Sequence, residues 1–315
     1  MDMFFTVLVF FAGLFILYHG AEFLVNGSSQ LAFSYGVRPL IVGMTVVAFA
    51  TSMPELMVSL LAAVKGSSDM AAGNIIGSNI ANIGLILGIA ALLLPMAVGR
   101  ATLTREIPFM IGASLLVYVF CLDGVLSFVN GLVLFLFLLV FLAYCIKTAR
   151  VKVPYELDVA SEAGGKGQGR RRNLLFIALG MVGLGVGAEL MVRSAVIIAT
   201  ALGISELVIG MTVVAVGTSL PELAASVVSA WKGEMDLSVG NVIGSNIFNV
   251  LFVLGVCPMI RPLSVDPSVL RFELPVMLAF SVALIPLLWS GRKLDRPRGA
   301  LLLVAYLLFI GVLFV

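Results

Sequence analysis

Charged side chains and metal-binding side chains other than carboxylates are scarce in this sequence. Only 11% of its 315 residues are charged, one residue is a histidine, and the three cysteines, Cys121, Cys145 and Cys257, lie apart in apolar surroundings. Because no CxxC motif or Cys/His cluster is present, nothing indicates a disulfide framework, and a thiolate or imidazole metal site is disfavoured. We expect the cysteines to be buried as small hydrophobic residues. The net charge of +2 is too small to indicate a nucleic-acid partner.

Hydrophobic residues dominate instead, at 61% of the chain against roughly 45–50% in an ordinary soluble domain. A membrane span needs about 20 apolar residues, and charges, prolines and glycines divide the chain into ten such stretches. The N-terminus lacks the basic segment and cleavage site of a secretory signal, so we expect it to form the first span. The predicted spans are residues 3–30, 38–64, 70–95, 104–121, 125–147, 173–201, 205–231, 237–259, 268–290 and 297–315. The sequence therefore predicts an all-α polytopic membrane protein with ten transmembrane helices.

Two polar motifs each occur twice, 167 residues apart. The first, Gly43-Met-Thr-Val-Val-Ala-Phe-Ala-Thr-Ser-Met-Pro-Glu55, returns as Gly210–Glu222 with ten of thirteen residues identical. The second, Gly73-Asn-Ile-Ile-Gly-Ser-Asn-Ile-Ala-Asn82, returns as Gly240–Asn249 with eight of ten identical. Each half contains five predicted spans. Since five is odd, the second half is expected to enter the membrane upside down, as in the inverted repeats of secondary transporters.

The long polar interval between the halves predicts a flexible linker. We therefore divide the chain into a first five-helix repeat at 1–147, a linker at 148–172 and a second, inverted repeat at 173–315. The odd-numbered loops, including this linker, hold 15 of the 19 Lys and Arg residues. Because basic loops stay in the cytoplasm, we expect a multi-pass protein of the cell membrane with a cytoplasmic linker and both termini extracellular.

The first motif places hydroxyls, a proline and a carboxylate inside an apolar span. A proline removes one amide hydrogen and frees the carbonyl four residues earlier, here at Ala50 and Gly217. A freed carbonyl cannot face lipid, so it must line a cavity or contact an ion. A simple proline kink satisfied by Ser and Thr side chains is an alternative for the hydroxyls. It does not explain Glu55 and Glu222, because a carboxylate in the membrane costs at least about 2.5–3.5 kcal/mol.

The second motif adds amide and hydroxyl oxygens. We expect Ser78, Asn82, Ser245 and Asn249 to be ligands, and its glycines to allow close helix packing. Four other asparagines are expected to form hydrogen bonds between helices: Asn74, Asn79, Asn241 and Asn246. Carboxylate, amide, hydroxyl and carbonyl oxygens without His or Cys describe a site for a hard cation such as Ca²⁺ or Na⁺.

The four motifs, in this order, resemble the two alpha-repeats of sodium/calcium exchangers in the calcium:cation antiporter superfamily. The resemblance implies exchange of Na⁺ for Ca²⁺ by alternating access, with spans 1 and 6 sliding against the other eight, and neither enzyme activity nor a cofactor. A glycine-rich stretch in span 6, Gly180–Gly187, is compatible with a smooth sliding face. The ligands carried over by motif position are Thr51, Ser52, Glu55, Ser78, Asn82, Thr218, Ser219, Glu222, Ser245 and Asn249, with the backbone carbonyls of Ala48 and Ala215.

Two features depart from that family. Many relatives carry Asp where Asn249 stands, so this centre has two formal negative charges rather than three, which weakens a three-Na⁺-to-one-Ca²⁺ ratio. An H⁺/Ca²⁺ antiporter of the same superfamily therefore stays an alternative, and a cation channel a weaker one. The linker also lacks the large regulatory region of animal exchangers, so we expect a prokaryotic type without activation by cytosolic Ca²⁺. We expect it to work as a monomer in the lipid bilayer.

Three polar residues lie outside the motifs, in spans 1 and 6. Glu189 is placed to pair with Arg193 four residues on. A structural role and a part in gating are both open for Glu189 and for Glu22, which occupies the equivalent position of the first half. His19 has no counterpart in the second half and is expected to be an interior histidine with a hydrogen-bond partner, the alternative being a proton-sensitive element.

Overall fold

The computed structural model describes residues 3–149, 166–203 and 215–313, which are almost entirely helical. The first half forms α1 (Met3–Tyr35), α2 (Pro39–Val42), α3 (Ala48–Thr51), α4 (Met53–Lys65), α5 (Ser68–Ala81), α6 (Gly88–Leu93), α7 (Ile107–Phe120) and α8 (Phe128–Thr148). The second half forms α9 (Lys166–Ala201), α10 (Ala215–Thr218), α11 (Leu220–Trp231), α12 (Met235–Phe248), α13 (Leu254–Ile260), α14 (Pro267–Arg271), α15 (Glu273–Trp289) and α16 (Arg296–Leu313). Four π-helical segments adjoin them: π1 (Gly43–Val47), π2 (Asn82–Leu87), π3 (Thr102–Glu106) and π4 (Asn249–Val253).

Eight of the described helical segments are long and apolar enough to cross a membrane. A ninth candidate is the pair Pro39–Thr51 and Met53–Lys65, which is bent by 44° at its break. The bounds agree with the predicted spans to within a few residues, so an all-helical, multi-pass membrane protein is confirmed. The predicted span 205–231 begins in residues 204–214, outside the described part of the chain. The count of ten therefore stays a prediction.

The chain groups into two compact units, and each unit takes helices from both halves. The first unit comprises Met1–Thr51 and Tyr144–Asn241, and the second comprises Ser52–Ala143 and Val242–Val315. The division at the linker 148–172 follows the sequence repeat rather than these units and stays a prediction. Residues 150–165 of that linker lie outside the described residues.

In the first unit, the long helices α1 and α9 pack closely through glycines. A methyl group added at Gly180 would lie 2.5 Å from the backbone nitrogen of Leu24, and one at Gly187 would lie 2.5 Å from that of Leu17. A methyl group at Gly183 would meet Gly20 at 2.9 Å. Three of the four glycines in the 180–187 stretch therefore contact span 1. The expectation that they form a face sliding against the rest of the protein is wrong, because α1 occupies that face.

A pair of substitutions in α9 tests this packing. We expect Gly180→Val to destabilise the protein by about 1–3 kcal/mol, because α1 must move away to accommodate the new side chain. Gly185→Val is the matched control, since a methyl group there meets nothing within 4 Å among the described residues. Thermal unfolding in detergent, followed by the loss of the monodisperse gel-filtration peak, measures the difference. Equal melting temperatures for the two variants would contradict the packing.

In the second unit, short strands join the two halves at equivalent positions. β1 (Met96–Ala97) pairs antiparallel with β4 (Lys293–Leu294), and β2 (Val125–Leu126) pairs antiparallel with β3 (Leu263–Ser264). The amide of Val98 donates to the carbonyl of Arg292 at 2.8 Å. In the other pair the amide of Val265, 167 residues after Val98, donates to Gly124 at the same distance. The sequence repeat is thus also a repeat of contacts.

Candidate cation-binding residues

Both first motifs contain a helix break at the same serine. Ser52 has φ −80° and ψ 3°, and Ser219 has φ −89° and ψ 6°, so neither continues the preceding helix. Pro54 and Pro221 follow in the first turn of α4 and α11, where a missing amide hydrogen breaks no helical bond. The proline therefore starts a new helix, and the predicted interruption is confirmed as a break of the span.

The two glutamates lie in the first turns of these new helices. Glu55 and Glu222 are each 0% exposed. The amino end of a helix carries a partial positive charge that favours a carboxylate. The break thus gives each buried glutamate a favourable backbone field at the start of its new helix.

The second motifs end where π-helical turns begin. Asn82 is the first residue of π2 and Asn249 is the first residue of π4, and both are 0% exposed. Such turns are rare and occur frequently at functional sites. Among the described residues, Asn82 Nδ2, Asn82 Oδ1 and Asn249 Oδ1 have no hydrogen-bond partner. Since buried polar atoms are normally satisfied, these oxygens fit a site that takes its cargo cation as the missing partner.

The predicted interhelical hydrogen bonds are present for Asn74, Asn79 and Asn241, and those of Asn74 and Asn241 repeat between the halves. The prediction is wrong for Asn246, whose side chain donates to the carbonyl of Val242 on its own helix. Asn74 Nδ2 donates to Ser59 Oγ at 2.9 Å and to the Glu55 carbonyl at 3.4 Å. Its equivalent, Asn241, donates to Ser226 Oγ at 2.9 Å and to the Glu222 carbonyl at 3.3 Å. Each asparagine therefore fixes the backbone that carries one of the two glutamates.

The predicted ligands are divided between the two units, and each unit contains one glutamate. In the first unit, Asn241 links the two copies of the first motif. Thr51 Oγ1 of the first copy donates to Asn241 Oδ1 at 3.2 Å, and Asn241 Nδ2 donates to the Glu222 carbonyl of the second copy. Thr51 Oγ1 also lies within hydrogen-bond distance of the carbonyl oxygen of Ala48, at 3.3 Å. The first unit holds Ala48, Thr51, Ala215, Thr218, Ser219 and Glu222. The second unit holds Ser52, Glu55, Ser78, Asn82, Ser245 and Asn249.

The side chains of the predicted ligands are buried wherever the structure describes them. Thr218 is the most exposed of the hydroxyl, amide and carboxylate side chains, at 9%. Within the described ranges, no three His, Cys, Asp or Glu residues group into a metal cluster. The predicted ligands are mainly hydroxyl and amide groups, with one carboxylate in each unit, and such oxygen atoms suit hard cations.

The polar residues outside the motifs make local ion pairs. Glu189 accepts from Arg193 on its own helix, as predicted. Glu22 accepts from Lys232 Nζ at 2.8 Å and contacts His19 Nδ1 at 3.3 Å. The His19 side chain is 40% exposed, so the expectation of an interior position is wrong, although it does have a partner. Beside Lys232 a cavity of about 390 Å³ is lined by Val25, Asn26, Ser29, Gln30, Lys232 and Glu234.

One buried carboxylate was not singled out from the sequence. Glu106, the last residue of π3, is 0% exposed. The repeat offset of 167 makes it equivalent in sequence to Glu273, the first residue of α15. A proline follows two residues later in both halves, at Pro108 and Pro275. The signal that could have found Glu106 is the continuation of the repeat register beyond the four motifs.

Comparison with known proteins identifies the family. Residues 5–147 and 172–315 match the sequence profile of the family described as sodium/calcium exchanger protein. The chain is 41% identical over 311 residues to a protein of Alkalimonas amylolytica named putative antiporter CaxA, with 96% of each chain covered. It is 34% identical over 347 residues to the sodium/calcium exchanger MaX1 of Methanosarcina acetivorans, with 98% of each covered.

A solved structure gives the same result. The sodium-calcium exchanger NCX_Mj superimposes with a TM-score of 0.87 at 33% sequence identity, covering 98% of this chain and 99% of that chain. The buried oxygen donors and the repeated motifs thus occur in a chain that matches exchangers in both sequence and fold over nearly its whole length. This chain is a multi-pass membrane protein that belongs to the sodium/calcium exchanger family.

Proposed function

We propose that the protein is a secondary active antiporter that exchanges Na⁺ for Ca²⁺ across the cell membrane by alternating access. The observation that carries the proposal is the complete burial of two carboxylates and two amides within apolar spans: Glu55, Glu222, Asn82 and Asn249 are each 0% exposed. A carboxylate inside a membrane span is rare and costly, and such residues typically mark an ion pathway. Family membership then favours Na⁺ and Ca²⁺ as the cations.

The proposed ligands are those carried over from the family motifs. Two carboxylates balance the charge of one Ca²⁺, and hydroxyl, amide and carbonyl oxygens supply the six to eight ligands that this ion takes. Na⁺ competes for the same oxygens, and that competition couples the two fluxes. The set is Ala48, Thr51, Ser52, Glu55, Ser78, Asn82, Ala215, Thr218, Ser219, Glu222, Ser245 and Asn249.

The proposed topology has ten spans in two inverted five-helix repeats, with both termini extracellular and the linker 148–172 cytoplasmic. The odd number of spans per half supports the inversion, and the 15 of 19 basic residues in odd-numbered loops support the orientation. If three Na⁺ enter per Ca²⁺, one net charge moves inward and gains about 2.3 kcal/mol per 100 mV of inside-negative potential.

Proton coupling is the second candidate, and Asn249 is the observation that favours it. With two carboxylates rather than three, the centre carries less charge for several Na⁺ ions. Exchange against protons needs only a carboxylate that takes up a proton when Ca²⁺ leaves.

Flux into inverted membrane vesicles separates these candidates. We expect ⁴⁵Ca²⁺ uptake to require Na⁺ inside the vesicles and to stop when the Na⁺ gradient is dissipated. An empty-vector vesicle preparation provides the background. Uptake that persists without Na⁺ and follows an imposed pH gradient would overturn the Na⁺ proposal in favour of proton exchange, and single-channel currents would indicate a channel.

A further inference from the structure

The asparagines that end the two copies of the second motif, Asn82 and Asn249, are held differently, although they occupy equivalent positions in the two halves. Asn249 Nδ2 donates to Asn79 Oδ1 at 3.1 Å, and both side chains are buried. Asn79 in turn donates its own Nδ2 to the carbonyl of Asn246 at 3.4 Å. The amide of Asn249 is thereby fixed with Nδ2 toward Asn79, so that Oδ1 is turned away from it. That oxygen has no hydrogen-bond partner among the described residues.

The equivalent bond in the other half is not made. Adding 167 to Asn79 and Asn82 gives Asn246 and Asn249, so exchange of the two halves would give a bond from Asn82 to Asn246. Instead, Asn246 Nδ2 donates to the carbonyl of Val242 on its own helix at 3.0 Å. Within the described residues, Asn246 Oδ1 and both side-chain atoms of Asn82 are buried without a hydrogen bond. A donor and an acceptor that are chemically matched are thus left unused in one half.

We propose that Asn79 is a positioning residue that aims the side-chain oxygen of Asn249 at the transported cation. In the conformation open to the opposite side of the membrane, Asn246 takes the same role toward Asn82. The inference rests on the proposed function. It adds two residues that do not contact the ion, and a hydrogen bond that is exchanged between the halves during transport.

The physical reason is the two-sided chemistry of the amide group. An asparagine ligand offers its oxygen to a cation only if its NH₂ group points elsewhere, and a partner that accepts from that NH₂ fixes the orientation. Asn79 supplies such an acceptor now, while the amide of Asn82 has no acceptor among the residues that the structure describes. Because the two halves share the same residues, the reverse assignment uses the same chemistry and requires no new group.

The test compares Asn79→Leu with Asn246→Leu in membrane vesicles of defined orientation. Leucine has the same number of side-chain heavy atoms and the same branching as asparagine, with a larger volume, but neither accepts nor donates. We expect Asn79→Leu to raise the Ca²⁺ concentration for half-maximal transport roughly tenfold when Ca²⁺ is offered from one face. Asn246→Leu is expected to do so when Ca²⁺ is offered from the other face. Asn79→Ala and Asn246→Ala provide the same comparison with smaller side chains if a leucine variant is not recovered from the membrane.

Ser281→Ala is the control, because Ser281 is buried in the second unit and donates only to the carbonyl of Met277 on its own helix. It should leave both half-saturation values unchanged. A merely structural role for Asn79 predicts equal shifts on both faces, and that result, or no shift on either face, overturns the inference. Binding of ⁴⁵Ca²⁺ to purified wild-type protein distinguishes a failure of the proposed function from a failure of this inference. A wild type that binds no Ca²⁺ overturns the proposed function. A wild type that binds and transports Ca²⁺, together with variants that show no sided difference, overturns this inference alone.

Discussion

Glu55→Gln and Glu222→Gln are each expected to reduce Na⁺-driven Ca²⁺ uptake by about 100-fold or more. Glutamine keeps the shape of the side chain and removes one of the two negative charges that balance Ca²⁺. At about 4 Å and an effective dielectric constant near 20, one unit charge acts on another with about 4 kcal/mol, and each 1.4 kcal/mol is a factor of about ten in affinity. Even when desolvation offsets part of this energy, the remaining site is too weak to bind Ca²⁺ at working concentrations.

Glu189→Gln is the matched control for these substitutions. Its side chain is 57% exposed and pairs with Arg193 on the same helix, so we expect uptake close to wild type. The measurement is initial ⁴⁵Ca²⁺ uptake, normalised to the amount of folded protein in the membrane. Wild-type flux in either Glu55→Gln or Glu222→Gln would remove that residue from the site.

Asn249→Asp is expected to act in the opposite direction and to lower the Ca²⁺ half-saturation concentration about tenfold or more. The third carboxylate adds one negative charge to the proposed site, and its attraction for Ca²⁺ in a buried site exceeds that of an amide oxygen. The amide of Asn79 can turn its NH₂ toward the new carboxylate. The hydrogen bond is then kept, with Asn79 as the donor and Asp at position 249 as the acceptor.

Asn249→Leu is the partner variant, because leucine has the same branched shape as asparagine and no oxygen. We expect it to weaken Ca²⁺ binding, so that the two substitutions at one position move the half-saturation concentration in opposite directions. Transport assays with Ca²⁺ titrated at constant Na⁺ measure both. An Asn249→Asp variant that binds Ca²⁺ more weakly than wild type would contradict a ligand role for this residue.

Much of the helical architecture follows from the sequence because the apolar runs are long and the interrupting residues are strong. Pro54 and Pro221 lack the amide hydrogen that a helix interior needs, so a break near Ser52 and Ser219 is predictable from covalent chemistry alone. The importance of the two buried glutamates is predictable for a different reason, since a carboxylate repeated within apolar spans is costly and marks a functional site.

The π-helical turns at Asn82 and Asn249 were not predictable. Tertiary packing decides whether a helical turn takes up an extra residue, and no residue type within π2 or π4 predicts such a turn. The partner of the glycine stretch in α9 is a similar case. Spacing of small residues predicts that some helix approaches closely, but only the fold identifies α1 as that helix.

The bond between Asn79 and Asn249 likewise joins residues 170 positions apart in the chain, on helices from different halves. The repeat made both asparagines visible as candidates. It predicts symmetric partners, however, whereas a single conformation of a carrier must treat its two halves differently in order to open to one side.

The most direct test of Na⁺/Ca²⁺ exchange is the reversal point of Ca²⁺ flux in proteoliposomes held at a fixed membrane potential. We expect the Ca²⁺ gradient at which net flux vanishes to shift each time the Na⁺ gradient is changed, and to stay constant when only the pH gradient is changed. Glu222→Gln proteoliposomes provide the background without exchange. A reversal point that follows the pH gradient and ignores Na⁺ would contradict the account.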